Sequence, residues 1–230
     1  VYLLPMVGVP EPLLMSTALG TSFATIVITG FSSAQRHHKL GNIVWSAVKV
    51  LAPVIMITVF ISGLFIGKLD REVSAKIFAC LVVYLAAKMV ISIKKNTVNA
   101  KPLTTQSSVI GGILIGMASS AAGIGGGGFI VPFLNSRGID MKKAIGSSAF
   151  CGALLGLSGM LSFMVSGWVN PSMPDYSLGY IYLPAVLGIT ATSFFTSKLG
   201  ATATSKLPVP TLKKGFALLL IAIAVDMFIK

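Results

Sequence analysis

A chain of 230 residues that is 54% hydrophobic and 10% charged, with mean hydropathy +0.89, cannot clothe a water-facing surface. An ordinary soluble domain carries about a quarter charged residues, so a soluble fold is excluded. The net charge of +12 would suggest nucleic acid in a soluble protein. Here the bases fall between apolar blocks with no interleaved aromatics to stack on bases, which leaves lipid headgroups and no nucleic acid as the expected partners.

The apolar blocks run 13–30, 43–66, 73–93, 109–122, 129–134, 144–165, 181–196 and 212–229. Several meet or approach the roughly 20 residues that a bilayer-spanning helix needs. The sequence therefore predicts an all-α, polytopic membrane helix bundle in the cell membrane. The first block carries Thr21-Ser22 and is followed by Arg36, His37, His38 and Lys39. Adjacent histidines do not share a helix face, so His37 and His38 read as loop residues rather than a relay or metal ligands. The second block opens near Trp45, an interfacial aromatic, and holds Lys49. The third holds Cys80 and Lys88, and the longest polar gap, 94–108, follows it.

Blocks 109–122 and 129–134 are each too short to span. Between them lies Gly123-Ile124-Gly125-Gly126-Gly127-Gly128, so the two form one discontinuous element, either a broken helix or a re-entrant hairpin. Block 144–165 contains Gly146-Ser147-Ser148 and then Cys151, and Trp168 stands just beyond it. Both cysteines lie in apolar blocks, where a disulfide framework is not expected and Cys151 reads as a small filler. Asp226 closes the last block. No His, Cys and carboxylate cluster has metal spacing, and no cofactor is expected.

The two halves resemble each other. A shift of 126 brings Ala18, Gly20, Ser22 and Gly30 onto Ala144, Gly146, Ser148 and Gly156. A shift of 138 brings Gly41, Ile43, Val48, Lys68-Leu69 and Phe78-Ala79 onto Gly179, Ile181, Val186, Lys206-Leu207 and Phe216-Ala217. The change of shift places a 12-residue insertion within 167–178. The expected organisation is one membrane domain of two internal repeats, 1–95 and 109–230, joined by a linker over 96–108. Pro5 matches Pro132, so a first glycine run and a preceding apolar helix are expected upstream of Val1. Whether the repeats are parallel or inverted depends on the discontinuous element. If that element crosses, the face bearing Lys68, Arg71, Arg137, Lys142, Lys143, Lys206, Lys213 and Lys214 is cytoplasmic. If 129–134 turns back, every later assignment reverses.

Irregular backbone at membrane depth survives only where it is buried or lines a cavity. Glycine lets amide groups approach a ligand, and amides at a helix N-terminus attract an anion. Gly125, Gly126, Gly127 and Gly128 are therefore candidate ligands for a small anion. Ser147 and Ser148, with Thr21 and Ser22 at matching places in the first half, are candidate hydroxyl donors. Close helix packing is the competing reason for the glycines, and bonding to a carbonyl one turn back is the competing reason for the hydroxyls. Lys49, Lys88 and Asp226 are charged residues in apolar blocks and candidates for coupling, although lysines near block ends also snorkel to the interface. Lys88 and Asp226 are repeat equivalents of opposite sign. No paired catalytic groups stand at membrane depth, so an enzyme is not expected.

Gly123 to Pro132, followed by Ala144-Ile145-Gly146-Ser147-Ser148, resembles the TauE/SafE sulfite exporter family, as does the duplicated layout over nearly the whole chain. The resemblance implies a secondary transporter for sulfite, a sulfonate or a related small anion. Export coupled to protons is the expected mode. An anion channel, or an importer of thiosulfate or an organic acid, is the alternative. A homo-oligomer is compatible with the sequence.

Overall fold

The computed structural model describes residues 3–92, 103–168 and 170–193. Two short 3-10 turns, Pro5–Val7 and Glu11–Leu13, lead into α1 (Leu14–Lys39). Then come α2 (Trp45–Ile66), α3 (Arg71–Ser92), α4 (Thr105–Ala122), α5 (Gly127–Ser136) and α6 (Met141–Gly167). A two-stranded antiparallel ribbon, β1 (Ser177–Leu178) and β2 (Ile181–Tyr182), pairs Ser177 with Tyr182 and precedes α7 (Leu183–Ser193). The expected helical membrane bundle is what the chain forms: Glu11–Lys39, Trp45–Ile66 and Lys142–Gly167 are long and apolar enough to cross a bilayer. The first strand of the ribbon lies at the end of the segment expected to hold the insertion.

α1 outruns its apolar block because no glycine or proline intervenes between Gly30 and Gly41. His37 and His38, expected in a loop, thus form the last turn of α1, and His38 stacks edge-on against Trp45 at 5.7 Å. α4 begins at a reciprocal cap. Thr104 Oγ1 accepts from the Ser107 amide at 3.2 Å, while Ser107 Oγ accepts from the Thr104 amide at 3.1 Å. Asp140 caps α6 by accepting from the Lys142 amide. Such caps satisfy amides that the helix itself leaves unpaired.

Between α4 and α5 the chain reverses. Gly123 (φ +60°) and Gly126 (φ +73°) adopt the left-handed conformation that side chains resist. Phe133 of α5 lies against Gly111 of α4, while Ser136 and Arg137 share a cavity wall with Thr104 and Ser107. α5 therefore returns along α4, and the discontinuous element is a re-entrant hairpin. The reversal regroups the charges. Arg137, Lys142 and Lys143 stand at the end of the bundle that carries Arg36 and Lys39, not with Lys68 and Arg71. Lys206, Lys213 and Lys214 lie outside the described residues.

α1 and α6 cross antiparallel with small residues at the seam, the usual means of close approach between helices in lipid. Gly30 sits on Ala153, Gly156 on Val27, and Phe23 on Gly159 and Phe163. α2 runs parallel to α6, with Ser158 Oγ donating to the Met56 carbonyl and Ser166 Oγ to the Leu64 carbonyl. α4 runs parallel to α2, with Gly112 against Val54, Gly116 against Thr58, and Ser62 and Ser120 hydroxyls 2.8 Å apart. Phe23, Leu51, Ile55, Leu155 and Phe163 fill the centre. Ile57, Ile61 and Phe65 on α2, and Ile110, Leu114 and Met117 on α4, point outward, as a lipid-facing surface requires.

The contacts between the two halves recur in pairs. A Cβ on Gly146 would collide with the Asn42 carbonyl, and a Cβ on Gly20 with the Tyr180 carbonyl. The Val44 amide donates to Ser147 Oγ at 2.9 Å, and the Tyr182 amide to Thr21 Oγ1 at 3.1 Å. The Asn42 amide donates to the His37 carbonyl, and the Tyr180 amide to the Phe163 carbonyl. Gly41 and Gly179 are both left-handed. Each partner in α1 or α6 is related to its counterpart by the shift of 126, and each loop partner by the shift of 138.

Candidate functional site

The glycine turn sits midway along the bundle. Ile26, near the middle of α1, packs on Gly125, and the Gly125 carbonyl faces Gly152, near the middle of α6. Ser22 Oγ donates to the Gly123 carbonyl at 2.7 Å and ties the turn to α1. Residues over a hundred positions apart in sequence thereby set where α5 begins.

The beginning of α5 is uncapped. Its N-cap is Gly126, which has no side chain to accept a bond. The Phe129 and Ile130 amides both close onto the Gly126 carbonyl. The Gly127 and Gly128 amides meet no acceptor among the described residues. Such a terminus carries about half a positive elementary charge. Across from it stands Ser148 on α6, only 3% exposed, whose hydroxyl forms no hydrogen bond among the described residues. It is the sole atom within 4 Å of the position that a Gly127 Cβ would take, at 3.9 Å. The unpaired Gly127 amide and the Ser148 hydroxyl therefore stand near one another.

Gly127 and Ser148 border a cavity of about 340 Å³ between α1, α5 and α6. Gly125, Gly127 and Ser148 line it, and Thr29 and Ser33 of α1 add hydroxyls, that of Thr29 donating to the Thr25 carbonyl at 3.0 Å. Thr29 and Ser33 were not among the sequence candidates. Their spacing of four residues beyond Thr25 places them on one face of α1, which is the signal that could have found them. The deepest lining is Ile26, Gly125 and Gly152 at mid-depth; Ser33 and Ile145 lie nearer the end of the bundle that carries Arg36, Lys39, Lys142 and Lys143.

The other sequence candidates stand elsewhere. Thr21 and Ser147 each spend a lone pair on a loop amide, so they hold the loops before α7 and α2. Gly126 is buried under Ile130 and Leu155, while Gly128 is exposed beside the turn. Lys49 is exposed on α2, away from the cavity. Lys88 lies in α3, and Asp226 lies outside the described residues. Cys151 is fully buried in the core. A larger cavity, about 710 Å³ and mostly apolar, opens between α3, α4 and α5.

A multi-pass helical membrane protein with a broken, reversing helix pair and a cavity between its helices has an architecture that transporters use. A family model described as "Sulfite exporter TauE/SafE" matches residues 2–227, and the chain belongs to that family. The chain is 81% identical to a "Probable membrane transporter protein" of Haemophilus influenzae, over all of this chain and 87% of the relative. It is 26% identical to a probable membrane transporter protein of Methanocaldococcus jannaschii, over 87% of this chain and 73% of that protein. A probable membrane transporter protein of Bacillus subtilis, YdhB, is 24% identical over 88% of this chain and 80% of its own length. No solved structure matches the chain.

Proposed function

We propose that this transporter is a secondary carrier that exports a small sulfur-containing oxyanion, sulfite or a sulfonate, in a proton-coupled cycle. The observation that carries the reading is the uncapped start of α5 at Gly127 beside the unpartnered Ser148 hydroxyl, both lining the cavity between α1, α5 and α6. An oxyanion accepts hydrogen bonds on several oxygens at once, which suits converging donors. Gly125 and Gly126 shape the turn, Ser22 anchors it, and Thr21 and Ser147 fix the loops that hold α1 and α6 in place. Lys49, Lys88 and Asp226 remain candidates for coupling.

The orientation we infer rests on charge among the described residues. Arg36, Lys39, Lys49, Arg137, Lys142 and Lys143 gather at one end of the bundle, against Lys68, Arg71 and Lys76 at the other. Lysine and arginine concentrate on the cytoplasmic side, so the cavity opens toward the cytoplasm. The paired contacts at shifts of 126 and 138, set across an antiparallel α1 and α6, support two inverted repeats. Rocking about their shared seam would open the site to the opposite face.

The test is flux of labelled sulfite from proteoliposomes, with and without an imposed pH gradient at clamped voltage. Saturable flux that accelerates with the gradient is expected. Folded protein that moves neither sulfite, sulfonates nor thiosulfate would overturn the reading.

A further inference from the structure

We infer that the carried species is a monoanion, and that an acid which can lose a second proton is carried only in its singly charged form. The inference rests on the site proposed above and concerns which ion that site accepts. The cavity wall supplies Ile26, Val131, Ile145 and Ala149, together with glycines and the hydroxyls of Thr29, Ser33 and Ser148. Every one of these side chains is neutral. The compensation they face an anion with is the α5 N-terminus, about half a positive charge, together with hydroxyl and amide dipoles. One negative charge is largely met by that arrangement. A second would have no cationic side chain among the described lining residues to balance it, and the cost of desolvating an ion grows as the square of its charge. Hydroxyls also suit a protonated oxyanion in a way that a lysine would not, because Ser148 can accept from the acid's O–H as well as donate to its other oxygens.

The basic groups gather at one end of the bundle instead. Arg36, His37, His38 and Lys39 end α1, Lys49 starts α2, Arg137 follows α5, and Asp140, Lys142 and Lys143 begin α6. They would raise the local concentration of any anion without choosing between charge states. Selection then falls to the neutral site, and the proton of a singly protonated acid crosses on the substrate itself.

Wild-type protein in proteoliposomes, at equal pH inside and out and clamped voltage, tests this with two probes. Sulfite changes from monoanion to dianion over the accessible pH range. Methanesulfonate is a monoanion throughout and reports any titration of the protein. At a fixed, subsaturating total concentration, sulfite flux is expected to fall about tenfold per pH unit above sulfite's second ionisation, while methanesulfonate flux stays level. Sulfite flux that holds steady or rises as the dianion forms would overturn the inference and leave the transporter reading intact. A parallel fall of both probes would also overturn it, because the protein rather than the substrate would then be titrating. If neither probe moves, the functional reading itself fails, and this inference fails with it.

Discussion

Gly127 and Gly146 are both glycines of the motif region, and they predict opposite behaviour. A Cβ on Gly127 meets only Ser148 Oγ, at 3.9 Å, so Gly127→Ala fits. It should raise stability by up to about 1 kcal/mol through helix propensity. Yet the new methyl stands between the free amides and Ser148, so flux should fall steeply; paired thermal melts and flux assays would show the separation. Gly146→Ala instead drives a methyl into the Asn42 carbonyl, and the seam must part. A loss of about 1–3 kcal/mol is expected in the same melts. Ser148→Ala removes one donor to a charged ligand, which is worth about 1.5–3 kcal/mol and so about 10- to 100-fold in substrate affinity. Sequence alone singled out all of these residues, but not which are ligands. The matched hydroxyls looked alike; only the fold shows that Ser147 and Thr21 are engaged by the Val44 and Tyr182 amides while Ser148 is free.

At the scale of the element, the decisive piece is the α4–α5 hairpin. Hydropathy located both halves, and length showed that neither spans. It could not say which way α5 runs, because that depends on Phe133 lying over Gly111 and on two left-handed glycines, both of which are tertiary facts. The ends of α1 were misjudged for a related reason. A hydropathy block stops where polar residues begin, whereas a helix stops where a breaker stands, here Gly41. Thr21→Val tests the tie between α1 and the loop before α7. It keeps the shape but strands the Tyr182 amide, and should cost about 1–3 kcal/mol in melting experiments. Ser147→Ala should cost a similar amount through Val44. The two losses should add, since these bonds sit toward opposite ends of the bundle and share no partner.

For the molecule as a whole, the hairpin's reversal puts Lys39 and Lys142 on one face and Asp70 on the other. If the basic face is cytoplasmic, a cysteine at Asp70 in a protein lacking Cys80 and Cys151 should react with an impermeant maleimide added outside intact cells. A cysteine at Lys39 should react only after the membrane is opened. The reverse pattern would invert the orientation, and with it the direction in which the cavity opens. Much of this scale was legible early: the bundle, the family resemblance and the duplicated spacing all follow from the sequence. The handedness of the duplication was not, because identical residues align equally well in parallel and inverted repeats. The antiparallel crossing of α1 and α6 is the observation that favours the inverted arrangement proposed above.

The central claim is that the uncapped start of α5 and Ser148 together hold the anion at mid-depth. Sulfite flux through Gly127→Ala protein, compared with wild type at equal reconstituted amount and confirmed folding, addresses it most directly. The account predicts a protein at least as stable as wild type whose sulfite flux is reduced by about tenfold or more. Wild-type flux in that variant would contradict it, since an anion bound at those amides could not pass a methyl group unaffected.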